Sequence, residues 1–200
     1  YNVMYSARGV MMLAHNVHDI QVLKRHVHAN RLNGIDNEFL SPEQAKEFCP
    51  PLNISQEARY PVMGAALQRR GGTARHDAVA WGYARGADRR GVDLIQNCEV
   101  SGIDIENGVV RGVRTTRGAI RAKKVAIIVA GRSSQVAAMA GMRLPIESHV
   151  MQAFVTEGLK PVINHVISFG MGHFYISQSD KGGLVFGGDL DMYASYAARG

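Results

Sequence analysis

The run Gly71-Gly72-Thr73-Ala74-Arg75-His76-Asp77 sets an imidazole between a guanidinium and a carboxylate. A glycine-loosened loop gives way there to a helical pattern. At a helix start the first backbone N–H groups lack intrahelical partners, so the position favours an anion, and a side chain there can face outward. Two readings of His76 stand side by side: a functional imidazole, and a cap or surface residue. Four more histidines, His15, His18, His26 and His28, lie close together earlier in the chain. No Cys or carboxylate completes a recognised ligand set around them, so they read as a solvated helix face and no metal is expected. Cys49 and Cys98 show no metal or redox spacing, and their low number suits a reducing compartment.

Composition bounds the partners. Two hundred residues, 46% of them hydrophobic, suit one domain or two small ones with a real core. The net charge is +6, but the basic pairs Arg69-Arg70, Arg89-Arg90 and Lys123-Lys124 are scattered. No aromatic–basic alternation offers a stacking platform, so a solvated surface is expected and nucleic acid is not. No signal or transit pattern and no bilayer-spanning run is present. The expectations are a cytoplasmic location and no membrane. The chain opens at Tyr1 within an apolar stretch and stops at Gly200 after Ala197-Ala198-Arg199. That reads as an internal piece of a longer protein.

The elements that must position His76 follow from pattern. Tyr1 to Ala14 reads as two short strands around Ala7-Arg8-Gly9. Asn16 caps a helix whose Val17, Ile20, Leu23 and Val27 share a face, and Asn33-Gly34 stops it. Ser41-Pro42-Glu43-Gln44 is a capping-box start, and that helix dies at Pro50-Pro51. Leu52 to Leu67 reads as a long irregular connection. From Asp77 to Arg90 the pattern is helical, with Ala78, Gly82 and Gly86 on one small-residue stripe. Val92 to Ile95 reads as a short buried strand. Cys98 to Ile105, Asn107-Gly108, Val109 to Thr116, Arg117-Gly118 and Ala119 to Ala122 make a three-stranded meander. Val125 to Val129 is apolar at every position, as a strand covered on both faces reads. It ends at Ala130-Gly131, where backbone can approach a ligand.

Beyond this point the character changes. Ser133 to Gly141 reads as a small-residue helix. Strands follow at Val150 to Glu157, Val162 to Phe169, His173 to Gln178 and Leu184 to Gly187. They suit an antiparallel sheet that pairs with the strands of Tyr1 to Ala14. The fold class is α/β in a mixed α+β arrangement: the second half of a doubly wound dinucleotide-binding domain, with its meander, plus an antiparallel-sheet substrate domain. The expected divisions are 1–67, substrate-side strands and helices; 68–141, the dinucleotide-binding half; and 142–200, the antiparallel substrate part. The G-x-G-x-x-G loop that opens a first half is absent here.

Gly71 to Gly82 resembles the β subunits of heterotetrameric sarcosine oxidases, within the D-amino-acid-oxidase-like FAD-dependent oxidoreductases. So do Tyr1 to Ser6, Asn30 to Asp36, Leu144 to His149, Ser177 to Gly183 and Tyr193 onward. The resemblance covers essentially the whole chain. The meander and Ala130-Gly131 belong to the wider family, whereas Arg75-His76-Asp77 is specific to this subunit. The resemblance implies non-covalent FAD, and FMN linked covalently to His76. It implies backbone contacts with FAD at Val100, Ala130 and Gly131. His173 and Tyr175 take the substrate side as candidate catalytic residues. Arg75 either holds the flavin phosphate, steadies charge on the reduced ring, or is a surface arginine. Two departures stand out: Arg132-Ser133-Ser134 follows Ala130-Gly131 where relatives often place an aromatic, and Val150 follows His149 where a proline is expected.

The implied reaction is oxidation of sarcosine by FAD. Electrons pass to FMN and then dioxygen, giving hydrogen peroxide with formaldehyde or methylene-tetrahydrofolate. Implied partners are α, γ and δ subunits, with NAD and tetrahydrofolate on α. Histidine suits the tether, because a neutral imidazole is a competent nucleophile near pH 7 whereas a lysine is mostly protonated there. Two other readings remain: a single-flavin oxidase or dehydrogenase for another N-methyl or secondary amino acid, and a non-enzymatic basic module that binds nucleic acid or scaffolds a complex.

Overall fold

The computed structural model describes residues 2–146, 152–169 and 174–188. His149, Val150 and His173 lie outside the described residues. In chain order the elements are β1 (Ser6–Ala7), β2 (Val10–Ala14), α1 (Val17–Leu32), β3 (Asn37–Leu40), α2 (Pro42–Phe48), β4 (Gly64–Gln68), β5 (Gly72–Thr73) and α3 (His76–Asp88). There follow β6 (Val100–Glu106), β7 (Val109–Thr115), β8 (Gly118–Arg121), a 3-10 turn at Ala130–Arg132 and α4 (Ser133–Ala138). The last four are β9 (Gln152–Gly158), β10 (Val166–Phe169), β11 (Phe174–Gln178) and β12 (Gly183–Gly188). The described residues form two compact units, 2–86 with 152–169 and 174–188, and 87–146.

Local chemistry sets the helices of the first unit. Asn16 is extended, and its Oδ1 accepts the Asp19 N–H at 2.8 Å, which satisfies one orphan donor at the start of α1. Asp19 Oδ2 in turn accepts the His15 N–H and the Asn16 amide, both at 3.0 Å, which gives this buried acid two donors. For α2, Ser41 Oγ accepts the Gln44 N–H at 3.3 Å, and Gln44 Oε1 accepts the Ser41 N–H at 2.9 Å. Pro42 occupies the first helical position.

The unit is built on a seven-stranded sheet in the order β3-β4-β2-β10-β11-β12-β9. Every neighbour pair is antiparallel except β2 with β10, which run parallel from Val166↔Val10 to Phe169↔Leu13. The expected pairing of the last section with Tyr1 to Ala14 is therefore made through β2. Alternation along β2 sends Met11 and Leu13 to one face and Ala14 to the other. On the first face they join Ala65, Leu67 and Ile167 beneath Ala45 and Cys49. On the second, Ala14 and Ala66 pack under Leu23 and Val27 of α1. Met11, Leu13 and Leu67 are fully buried, and each contributes about 1.5–3 kcal/mol of transfer free energy.

Three expectations are corrected. Leu52 to Leu67 is not wholly irregular: β4 lies inside it and is a central strand, paired to β2 and β3 on its two edges. Its Gly64-Ala65-Ala66 start has low β-propensity, and burial on both faces removes the alternation that would betray a strand. Val92 to Ile95 is not a strand, and Val92, Leu94 and Ile95 are about half exposed. Val125 to Val129 is likewise not a strand and has no ladder partner among the described residues, and Ile128 is 89% exposed. An apolar run records a demand for cover; a strand also needs a neighbour to take its backbone hydrogen bonds.

The second unit holds the meander as expected. Its sheet runs β6-β7-β8, and Asn107 and Gly108 make the first turn with φ of +51° and +77°. Both central residues left-handed is the hairpin geometry that matches strand twist.

Candidate functional site

His76 is the first residue of α3 and is exposed. Among the described residues nothing holds its ring by hydrogen bond or ring contact. The chain that presents it is tied down on the N-terminal side. β5 pairs with β1 through Ser6↔Thr73 and Ala7↔Gly72. Gly71 O accepts the N–H groups of Arg8 and Gly9 at 3.0 and 2.8 Å. The Arg75 N–H donates to Val3 O at 3.2 Å, and Arg75 O accepts the Val79 N–H at 3.0 Å. Gly72 is required here: a methyl carbon on it would stand 1.8 Å from Ser6 O.

Arg75 and Asp77 form a two-pronged ion pair across His76. Arg75 Nε donates to Asp77 Oδ1 at 3.1 Å and Nη2 to Oδ2 at 2.6 Å. Asp77 Oδ1 also accepts the Ala78 N–H at 2.9 Å. The guanidinium fork, aided by that N–H, holds the Asp77 carboxyl below its usual range, and the carboxylate holds Arg75 above its own. Asp77 thus fills the anion-favouring helix start itself. The pairing was not anticipated from sequence, although i,i+2 opposite charges flanking a helix start are a visible signal.

Tyr175, on β11, lines a cavity of about 440 Å³ between the sheet and α1. Met12 and Ser168 share its floor, and His18, Val22 and His26 of α1 form a wall. The floor follows from register: Ser168 is the cross-strand partner of both Met12 and Tyr175. His18 and His26 are exposed, in keeping with the solvated face expected of them, while also bordering the cavity. Their spacing with Val22, four and eight residues apart, is the signal that they share a helix stripe.

The second unit carries the remaining candidates. Val100 opens β6 opposite Thr115 and is half-buried. Ala130 sits at φ +47°, a left-handed conformation that costs a residue with a Cβ about 1–2 kcal/mol. Its carbonyl is held by the Ser133 hydroxyl at 2.7 Å, and both Ala130 and Gly131 are exposed. Such strain persists where surrounding structure over-determines it, often at ligand clamps.

Comparison with known proteins fixes the lineage of this arrangement. The family described as FAD dependent oxidoreductase matches residues 1–199. The chain belongs to that family. It is 61% identical over 200 residues to a sarcosine oxidase subunit beta from Rhizobium meliloti (strain 1021), covering 100% of this chain and 48% of that one. It is 50% identical over 200 residues to one from Arthrobacter sp, covering 100% of this chain and 49% of that one. The chain therefore spans about half the length of these relatives. Among solved structures it resembles an L-proline dehydrogenase from P. horikoshii, with a TM-score of 0.83 and 28% identity, over 96% of this chain and 51% of that one. The mixed α/β class agrees with this family, and no helix among the described residues is long and apolar enough to cross a membrane.

Proposed function

We propose that the chain is part of a sarcosine oxidase β-type subunit that oxidatively demethylates sarcosine to glycine. The observation that carries the reading is His76: an exposed imidazole whose ring makes no hydrogen bond among the described residues and has the Asp77 carboxylate beside it, on a junction tied at several backbone points, in a chain similar over its full length to subunits of that name. The residues present suit flavins. His76 offers a ring nitrogen as the FMN tether, and the strained, exposed Ala130-Gly131 backbone and Val100 suit contact with FAD. When bound, FAD supplies the two-electron acceptor for the amine, and FMN the route onward to dioxygen and hydrogen peroxide.

The chain's own residues bind and orient. Tyr175 lines the cavity whose floor holds Met12 and Ser168, and that cavity suits a small amine with an N-methyl group. His173 is assigned the same substrate side. Arg75 assists the tethered flavin. The one-carbon product leaves as formaldehyde or passes to tetrahydrofolate; that carrier and NAD belong to an α subunit, with γ and δ completing a cytoplasmic assembly.

His76→Ala in the full-length assembly tests this. FAD is retained and acid-stable yellow colour is lost. An unchanged flavinylated peptide elsewhere in the chain, found by mass spectrometry, refutes the assignment. A second reading, a single-flavin oxidase or dehydrogenase for another secondary amino acid, draws on the likeness to the L-proline dehydrogenase. It predicts that all colour leaves the wild-type protein on acid precipitation.

A further inference from the structure

We infer that Asp77 is a positioning residue: it holds Arg75 so that the open edge of the guanidinium receives the phosphate monoester of the flavin tethered at His76. The inference rests on the reading of His76 given above and deepens it. Arg75 is anchored at both ends. Its backbone N–H is bonded to Val3 O, and its Nε and Nη2 are claimed by the two Asp77 oxygens. The anchor is itself fixed, since Asp77 Oδ1 also takes the Ala78 N–H. A planar guanidinium gripped along one edge has a defined plane and keeps its Nη1 edge for a second oxyanion. Nη1 makes no hydrogen bond among the described residues, although the Asp180 carboxylate also acts electrostatically on the guanidinium.

Other arginines of this unit are engaged elsewhere. Arg8 pairs with Asp180, Arg69 with Glu38 and Arg70 with Asp36. Arg75 alone adjoins His76 in the chain. Both partners of its ion pair are about half exposed, so the pair adds little to folding, and what it supplies is direction. Tethering replaces an imidazole N–H and a flavin methyl C–H by one N–C bond. The two protons and two electrons leave to dioxygen as hydrogen peroxide. Neither Arg75 nor Asp77 exchanges a proton in that balance; their part is to bring the flavin to His76.

The test compares FMN with riboflavin, which lacks the phosphate. Full-length assembly purified from riboflavin-starved cells is incubated with either flavin, and the flavinylated peptide is followed over time by mass spectrometry. Asp77→Asn and Arg75→Gln are each expected to slow FMN attachment about tenfold, and the double variant is no slower than either. Riboflavin attachment is unchanged in all three, and Asp77→Glu recovers part of the FMN rate. Equal slowing with both flavins would show that the pair only shapes the helix start, and overturns the inference. So does an unchanged FMN rate in Asp77→Asn. Should Asp77→Asn lose FAD and fold, Arg75→Gln, which alters a loop residue, carries the comparison. Failure of His76→Ala to remove the tether sinks the underlying reading instead, and is scored separately.

Discussion

Gly72→Ala is the sharpest available test of what holds His76 in place. The added methyl carbon meets Ser6 O at 1.8 Å, Ser6 C at 2.8 Å and Ala7 Cα at 3.1 Å. All three are backbone atoms, so no rotamer change gives relief, and the β1–β5 ladder must open by more than about an ångström to reach ordinary contact. Overpacking of this kind costs about 1–3 kcal/mol. The neighbouring bonds at risk are Arg8 and Gly9 N–H to Gly71 O, and Arg75 N–H to Val3 O. A local loss of about 2 kcal/mol corresponds to roughly thirtyfold faster hydrogen exchange at these amides. Exchange measured by mass spectrometry on the full-length assembly should show that change in residues 3–9 and 71–75. Amides of Ala65 to Leu67 on β4 should keep their protection, because they sit in the main core. Covalent flavin at His76 should fall in parallel. Gly108→Ala is the control: nothing lies within 4 Å of its methyl, so it bears only the cost of its φ of +77° and leaves the His76 region unchanged. Protection within twofold of wild type at residues 71–75, with normal flavin attachment, would refute the idea that this ladder positions the imidazole.

The two remaining predictions concern the seven-stranded sheet and the core packed on it. Gln178 is a buried clasp: its Oε1 accepts the Val162 and Ile163 N–H groups at 2.8 and 3.2 Å, and its Nε2 donates to the carbonyls of Leu159, Lys160 and Gly182. Gln178→Leu leaves these groups short of partners and should lower stability by about 2–4 kcal/mol, read from the urea midpoint; an unchanged midpoint would show that water replaces the amide without loss. Cys49 is 2% exposed, and burial pushes its thiol pKa up. The folded state therefore favours the neutral thiol. That contribution is complete below the unfolded thiol pKa of about 8.5 and is lost as pH rises through the raised folded value. Stability between pH 8 and 10 should fall more steeply in wild type than in Cys49→Ala, and equal slopes would contradict the burial argument.

What was legible in the sequence was what a few adjacent residues encode. Asn16 with Asp19, and Ser41-Pro42-Glu43-Gln44, are helix starts whose partners lie within three residues, and both form. Asn107-Gly108 dictates its own turn through two positive φ angles. β4 was not legible, because Gly64-Ala65-Ala66 acquires its strand character from β2 and β3 on either side rather than from its own side chains. Of the candidate site, His76 could be found from its place after Gly71-Gly72, and its meaning came from resemblance. The ion pair that brackets it needed coordinates, since a carboxylate two residues from a guanidinium has several other places to go.

Val125 to Val129 and Ala130 show how the two kinds of information meet. The run is apolar at every position, yet it has no ladder partner among the described residues and leaves Ile128 almost bare. Its composition specifies cover on both faces; the cover itself is a property of whatever packs there. Ala130, immediately after it, already holds the left-handed φ, fixed by the Ser133 hydroxyl three residues on. So the turn is shaped by nearby residues, while the apolar run before it has no ladder partner among the described residues. If Ala130 and Gly131 contact FAD as proposed, the shape of that turn comes from its own neighbours, and flavin retention should depend on what covers the apolar run before it more than on any side chain at the turn.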